Sequence, residues 1–288
     1  MYDLASLEAE LAGTIFAGKL HFSPVTSSTN IDAVAAARRA APHGSVYFAD
    51  EQRTGRGRGD HAWDSAPGDG LYVSVLLRPQ ISSLRLPLLP LAAGLAAAAA
   101  IHEVSGLTAD LRWPNDLLIG SSKVCGILLE SKIETRSEGG SVAFAVVGIG
   151  INVHQRDFAS YMATPATSLD MESGRRNSRQ ALLVSLLKSL QREALGLLDS
   201  AAGETIPRRV KQASTWISGR QVEVHGPQAC TGITAGLDEN GFLLVRTANG
   251  LVTVQTGGIR ATTTCGGANF SAMGSGRAFG TEIKGWDR

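Results

Sequence analysis

The run from Leu86 to Ile101 constrains the fold more than any other segment, because it is apolar on every side and rich in alanine. A segment of that kind has to be enclosed, by lipid or by the rest of the chain. It falls short of the roughly 20 residues a membrane span needs, and Pro87 and Pro90 interrupt its start, so the sequence predicts a buried helix. The chain can supply the cover. With 288 residues, 43% of them hydrophobic and 18% charged, it can bury a sizeable core divided between one large and one small domain. Its 27 basic and 26 acidic residues give a net charge of +1, which argues against a broad surface for nucleic acid or anionic membrane. Any cationic chemistry must be local. Asp3, Glu8 and Glu10 near the start speak against a secretory signal. Cys125, Cys230 and Cys265 lie far apart with no metal-type spacing, which fits free thiols in a reducing compartment. A cytoplasmic protein is expected.

The remaining elements alternate around that helix. Thr29 or Asn30 can cap a helix through Ile31 to Ala41, stopped by Pro42 and Gly44. Ser45 to Ala49 and Leu71 to Leu77 read as strands with a long polar loop between them. The buried helix is placed at Leu88 to Val104, followed by strands near Leu111 to Trp113, Gly126 to Ser131 and Val142 to Val147. Ser178 opens a helix to about Leu198, in which Leu182, Leu183, Leu186, Leu187 and Leu190 form a core-facing stripe. Near Trp216 the pattern changes to short β-prone runs, 221–225, 232–237, 242–246 and 251–256, with turn signals at Glu239-Asn240-Gly241 and Asn249-Gly250. A small β-barrel is expected there. The Gly/Ser/Thr-rich stretch that follows predicts a poorly ordered tail.

Four polar constellations carry the chemistry. Gly55-Arg56-Gly57-Arg58-Gly59 combines backbone N–H groups free to converge with two fixed positive charges, a suitable phosphate cradle. Asp60 and His61 follow where a Walker A loop has Lys and Ser/Thr, and a flexible basic loop or an RNA-binding Arg/Gly segment competes at even odds. Trp113-Pro114-Asn115-Asp116 projects an amide and a carboxylate beyond a strand that Pro114 ends, though alone it reads as a turn. Lys123, before the apolar run 124–129, is either solvated or reaches into a cleft to meet a carboxylate or phosphate. Val147-Gly148-Ile149-Gly150-Ile151-Asn152-Val153 reads as a strand entering a glycine-rich turn. Val153 stands where a dinucleotide fingerprint has its third glycine, which excludes Rossmann binding.

In order along the chain, Ser28-Thr29-Asn30, Gln52, Gly55-Arg56-Gly57-Arg58 with Trp63, Trp113-Pro114-Asn115-Asp116, Lys123 with Gly126-Ile127-Leu128, and Gly148-Ile149-Gly150-Ile151-Asn152 resemble the motif series of biotin protein ligases. The resemblance covers about residues 20 to 262, and its specificity lies in the ordered set. It implies an α/β (α+β) fold: a class II synthetase-like mixed-sheet catalytic domain, 1–215, followed by a small SH3-like β-barrel, 216–262, with 263–288 as the tail. It further implies that ATP activates biotin as biotinyl-5′-AMP, which then passes to a lysine of a biotin carboxyl carrier protein. Mg²⁺ is expected with ATP, and a homodimer is left open. Some members carry an N-terminal helix-turn-helix domain; only 27 residues precede Ser28 here, so no nucleic-acid partner is expected, and the near-neutral charge with the short apolar run speaks against a membrane partner.

Joining a carboxylate to an α-phosphate brings two anions together, which positive groups and a metal ion must screen. By resemblance, Lys123, Arg56, Arg58 and Asp116 are the catalytic residues. Biotin falls to Ser28, Thr29, Asn30, Gln52, Gly55, Arg56, Lys123 and Gly126, with Ser28, Thr29 and Gln52 around its ureido end. The nucleotide falls to Arg56, Arg58, Trp63, Asn115 and Asn152. No metal ligand is assigned, and Cys125 is read as a packing residue. The chain departs from the family pattern Gly-Arg-Gly-Arg-x-Gly-Arg-x-Trp at Asp60 and His61, while the spacing to Trp63 is intact. A lipoate or octanoate ligase of the same fold and a non-catalytic sensor of biotinyl-AMP are the competing readings.

Overall fold

The computed structural model describes residues 2–59, 61–134, 141–159, 164–198 and 202–262. Its elements begin with α1 (Leu4–Glu10), β1 (Leu20–Thr26), α2 (Thr29–Arg38), β2 (Ser45–Gln52), β3 (Gly70–Leu77) and α3 (Leu88–Ser105). They continue with β4 (Asp110–Arg112), β5 (Asp116–Ile119), β6 (Ser122–Glu134), β7 (Ser141–Asn152), α4 (Leu169–Ser173), α5 (Arg179–Leu198) and α6 (Ala202–Gln212). Five short strands close the described chain: β8 (Ser218–His225), β9 (Cys230–Leu237), β10 (Leu243–Thr247), β11 (Gly250–Val254) and β12 (Gly258–Ala261). The first seven strands form one mixed sheet in the order β1-β2-β3-β7-β6-β5-β4. Only β1 and β2 run parallel in it; the other neighbours are antiparallel.

Period-two alternation assigns the two faces of this sheet. Val75, Leu77, Ile127, Val147, Ile149 and Ile151 join Leu88, Leu91, Ala92, Ala96 and Ile101 of α3 and the leucine stripe of α5 in the main core. The apolar helix is therefore enclosed by protein, as expected. Small residues let it approach: a Cβ at Gly94 would lie 2.7 Å from Leu111 Cδ1. On the opposite face Leu76, Phe144 and Val146 meet Ala33 and Ala37 of α2 in a smaller cluster. Gly126, Gly148 and Gly150 lie on that face, where Asn30 at the start of α2 sits over Gly148.

Three readings from sequence change. The α2 cap is Ser28, and Thr29 and Asn30 are already helical. The segment 148–152, expected to turn, continues β7 to Asn152 and pairs with both β3 and β6. The stretch containing Pro24 forms β1, an edge strand, where a residue without an N–H costs no ladder bond on its open side. The Trp113–Pro114 peptide is cis, and β5 starts two residues later.

The second sheet is antiparallel, with the order β11-β10-β9-β8-β12. No ladder joins β11 to β12 among the described residues. The turn between β9 and β10 docks on the large sheet's layer: Trp113 Nε1 donates to Gly241 O at 3.1 Å. Position 241 has φ +84°, and a Cβ there would lie 2.8 Å from Leu91 Cδ1, so this turn and this contact both require glycine. The expected tail, 263–288, lies outside the described residues.

Candidate active site

The site is built on a floor of glycines. Gly126 pairs with Gly150 and Leu128 with Gly148, and alternation points Gly126, Gly148, Gly150 and Asn152 away from the main core. The indole of Trp63 lies directly on this floor: a Cβ at Gly150 would fall 2.6 Å from its Cε2 and Nε1, and one at Gly126 2.7 Å from its Cζ3. Side chains at 126 and 150 would exclude the ring. Trp63 Nε1 is buried with no hydrogen-bond partner among the described residues, an unmet donor inside the cleft. Lys123 Nζ stands 5.4 Å from the Trp63 ring centroid, within cation–π range.

Beside the floor, Asp116 gathers two cations. Its Oδ1 lies 2.5 Å from Lys123 Nζ and its Oδ2 accepts from Arg112 at 2.7 Å. Arg112, 9% exposed, also donates to Thr164 Oγ1 at 3.1 Å. One carboxylate facing two cations leaves a net positive charge at the cleft, suited to an anionic reactant. The backbone fixes Lys123 from both sides, its N–H donating to Pro165 O at 2.7 Å and its carbonyl accepting from Thr167 N at 3.0 Å. Cys125, next but one, is fully buried, and burial drives its thiol pKa well up; with Asp116 adding to that and Lys123 opposing, it is a packing residue and no nucleophile.

At the start of α2 a continuous polar chain runs across the sheet. Trp63 O accepts from Ser65 Oγ at 3.1 Å, Ser65 Oγ accepts from Gln52 Nε2 at 2.8 Å, and Gln52 Oε1 accepts from Thr29 N at 2.9 Å. Thr29 Oγ1 and Ser74 Oγ share a bond of 2.8 Å, and Ser74 Oγ donates to Asn30 Oδ1 at 2.6 Å. Asn30 Nδ2 donates to Glu130 Oε2 at 2.8 Å, and Glu130 Oε1 accepts from Arg56 NH1 at 3.0 Å. These bonds fix the rotamers of Thr29, Asn30 and Gln52 before any ligand arrives. Ser28 is buried at the helix start without a side-chain capping bond. Asn30 sits flush on β7, its Oδ1 in the space a side chain at 148 would need.

The loop carrying Gly55 to Trp63 folds back on itself: Gly57 N donates to His61 O at 2.7 Å and Trp63 N to Gly55 O at 2.9 Å. Gly55 packs against Trp63 O and Ser65 Oγ, leaving no room for a side chain. Arg58 reaches the second sheet, where it donates to Thr256 Oγ1 at 2.9 Å and to Gly257 O. Burial lowers the pKa of Arg58 while the charge of Asp116 opposes the shift, so the guanidinium stands within the field of the Asp116 carboxylate.

On the α2 side of the sheet the structure joins Thr29, Asn30, Gln52, Arg56 and Trp63 through the polar chain and brings Trp63, Asp116, Lys123 and Gly126 together, with Ser28 and Gly55 beside the chain, while Arg58 turns to the second sheet. Asn115 and Asn152 frame it through backbone contacts: Asn115 Nδ2 donates to Ile127 O at 2.8 Å and Asn152 Nδ2 to Thr167 O at 3.0 Å. Sequence reasoning missed Ser65, Ser74, Arg112 and Glu130. Glu130 alone had a usable signal, a carboxylate four positions after Gly126 and so on the same strand face. No group of three or more His, Cys, Asp or Glu able to hold a metal occurs among the described residues.

Comparison with known proteins adds to this geometry. Residues 22–152 match the family model described as the biotin/lipoate A/B protein ligase family, and residues 217–259 match the biotin protein ligase C terminal domain. The bifunctional ligase/repressor BirA of Bacillus spizizenii is 32% identical over 235 residues, 81% of this chain and 70% of that protein. The biotin--[acetyl-CoA-carboxylase] ligase of Paracoccus denitrificans is 31% identical over 229 residues, 77% of this chain and 91% of that protein. Among solved structures, the biotin protein ligase of Aquifex aeolicus in complex with biotin and ATP aligns with a TM-score of 0.71 at 28% identity, covering 85% of this chain and 100% of that one.

Proposed function

We propose, from the premise that this chain belongs to the biotin protein ligase family, an assignment of its site residues to the two steps of that family's reaction. The enzyme activates biotin with ATP to biotinyl-5′-AMP and transfers the biotinyl group to a lysine of a biotin carboxyl carrier protein. One observation supports the residue assignment above the others: Lys123 is held by Asp116 at 2.5 Å on the edge of the glycine floor, where a carboxylate and a phosphate would have to meet.

In the first step a carboxylate oxygen of biotin attacks the α-phosphorus of ATP, the P–O bond to pyrophosphate breaks, and pyrophosphate leaves. Lys123 faces both anions and stabilises the charge that builds between them. Asp116 and Arg112 orient its ammonium. Ser28, Thr29 and Gln52 address the neutral ureido group, Gly55 and Gly126 keep the biotin side of the site free of side chains that would displace Trp63, and Trp63 packs over the nucleotide. Asn30, bonded on both amide atoms within the protein, supports this end. Arg56 and Arg58 meet the phosphates, and Asn115 and Asn152 border the adenine. In the second step the acceptor lysine's amine attacks the mixed anhydride, the amide forms, and AMP leaves with the electron pair of the broken bond.

Asp116 is already engaged by two cations, and the described residues offer no cluster for a protein-bound metal. They do not fit a dedicated Mg²⁺ site, and Mg²⁺ is assigned to the phosphates of ATP as supplied. The chain divides into a catalytic unit of residues 1–215 and a small unit of 216–262, works in the cytoplasm and takes no DNA partner, with dimerisation left to measurement. Incubation with ATP, biotin and a carrier domain, followed by mass spectrometry of the carrier, tests the function. A carrier left unmodified, or modified with lipoate or octanoate in preference to biotin, would overturn it.

A further inference from the structure

We propose that Glu130 is a positioning residue: it anchors the Arg56 guanidinium and the Asn30 amide to the sheet, so that the loop over the adenylate is held from below. Two bonds carry the inference. Glu130 Oε1 accepts from Arg56 NH1 at 3.0 Å and Glu130 Oε2 accepts from Asn30 Nδ2 at 2.8 Å, so a single carboxylate joins the loop, α2 and β6. Each oxygen has a different partner, which fixes the plane of the carboxylate and, through it, the direction of both donors.

The electrostatics give this contact a purpose. Arg56 and Lys123 stand at separate points along β6, and each is paired with its own carboxylate, which favours its charged form. Asp116 answers Lys123, and Glu130 answers Arg56. A guanidinium has five N–H donors and Glu130 engages only NH1, so other donors stay available to a phosphate. Glu130 therefore orients Arg56 without consuming it. The polar chain described above begins at Trp63 and ends at Arg56, so both ends of the loop are tied to one network whose last link is Glu130. Its side chain is 27% exposed and borders an open cleft of about 470 Å³ lined by Val34, Arg38 and Phe144. Truncating it removes no core packing.

The inference rests on the proposed contact of Arg56 with the phosphates, through which Arg56 retains the adenylate once it is formed, and the test separates the two. Glu130→Ala and Glu130→Gln are each made alone and combined with Arg56→Ala, with thermal unfolding as a control. Hydrogen exchange of the Gly57 and Trp63 amides in the ligand-free protein reads the anchor itself. Either Glu130 variant should speed that exchange about 10-fold, and should add less than about 2-fold once Arg56 is already alanine. The escape rate of preformed biotinyl-AMP reads the function, and should rise about 5-fold in Glu130→Ala with the same non-additivity. Glu130→Gln keeps an acceptor for Asn30 but removes the charge facing Arg56, so it follows Glu130→Ala if the charge is what holds the loop. Faster exchange with unchanged escape would keep the anchor and overturn the role of Arg56. Unchanged exchange, or an effect of full size in the Arg56→Ala background, would overturn the role of Glu130.

Discussion

Gly150→Ala probes the glycine floor directly. The new Cβ would fall 2.6 Å from Trp63 Cε2 and Nε1, whereas carbon contacts settle at about 3.5 to 4.0 Å, so the indole has to withdraw by about 1 Å. It is free to do so, because Trp63 is only partly buried and the strand ladder through Gly150 is unaffected by a methyl group. The fold should persist with little change in melting temperature. The site should not, because on the proposed assignment Trp63 packs over the ligand, and Lys123 lies against the ring. Misplacing a positioning group by about 1 Å costs about 100-fold in rate, or about 2.7 kcal/mol in the barrier. Biotin-dependent ATP/pyrophosphate exchange measures this step without the carrier protein. The control is Trp63→Ala, which removes the ring the methyl collides with; Gly150→Ala on that background should cost less than about 3-fold. If the full loss persists without the indole, or if Gly150→Ala exchanges at the wild-type rate, the floor does not act through Trp63 and the argument fails.

Other expectations follow from the same geometry. Lys123→Ala should lower pyrophosphate exchange about 100- to 1,000-fold with the fold intact, and an unchanged rate would remove Lys123 from the chemistry. Arg56→Gly should still form biotinyl-AMP but lose it, detected as indiscriminate labelling of added protein lysines; an intermediate held as tightly as in wild type would contradict this. Asp170 has a lowered pKa: burial opposes the shift, but hydrogen bonds from Asn177 and His154 outweigh it. Its stabilising effect is thus complete above the ordinary carboxylate pKa of about 4 and is lost as pH falls through the lower folded value. Denaturation of wild type and Asp170→Asn should differ at neutral pH and converge in acid, and a gap that widens in acid would reverse the sign.

Much of this architecture was legible because strong patterns coincide with burial. The all-round apolar run 86–101 and the leucine stripe of α5 could only be core, and the glycine-punctuated runs after Trp216 could only be short strands. The ordered polar motifs located the cleft because each lies at the end of an element or on its open face. The errors share one physical origin. Glycines 148 and 150 read as a turn because local propensity does not register that Asn30 and Trp63 need the space above them. Thr29 and Asn30 read as caps because short polar side chains usually bond their own backbone, whereas here Ser74 and Glu130 draw them across the sheet. Pro24 hid an edge strand. Arg112 was passed over because a lone charge in a strand usually faces solvent, and only its partner at 2.7 Å distinguishes it.

The reach of Arg58 to Thr256 and Gly257 bears on how such a chain can be cut and recombined. A truncation before Trp216, attractive for a minimal biotinylation tag system, would strip the loop arginine of both acceptors and uncover Leu88 and Leu91 beneath Gly241. Swapping the small sheet from a relative would meet the same demand, since the replacement must present a carbonyl and a hydroxyl at that point. Chimeras chosen to keep residues 256 and 257 together with the loop 55–63 should retain activity more often than those joined at the apparent domain boundary. The seam that matters to the chemistry runs through the cleft, well away from where the strand pattern changes.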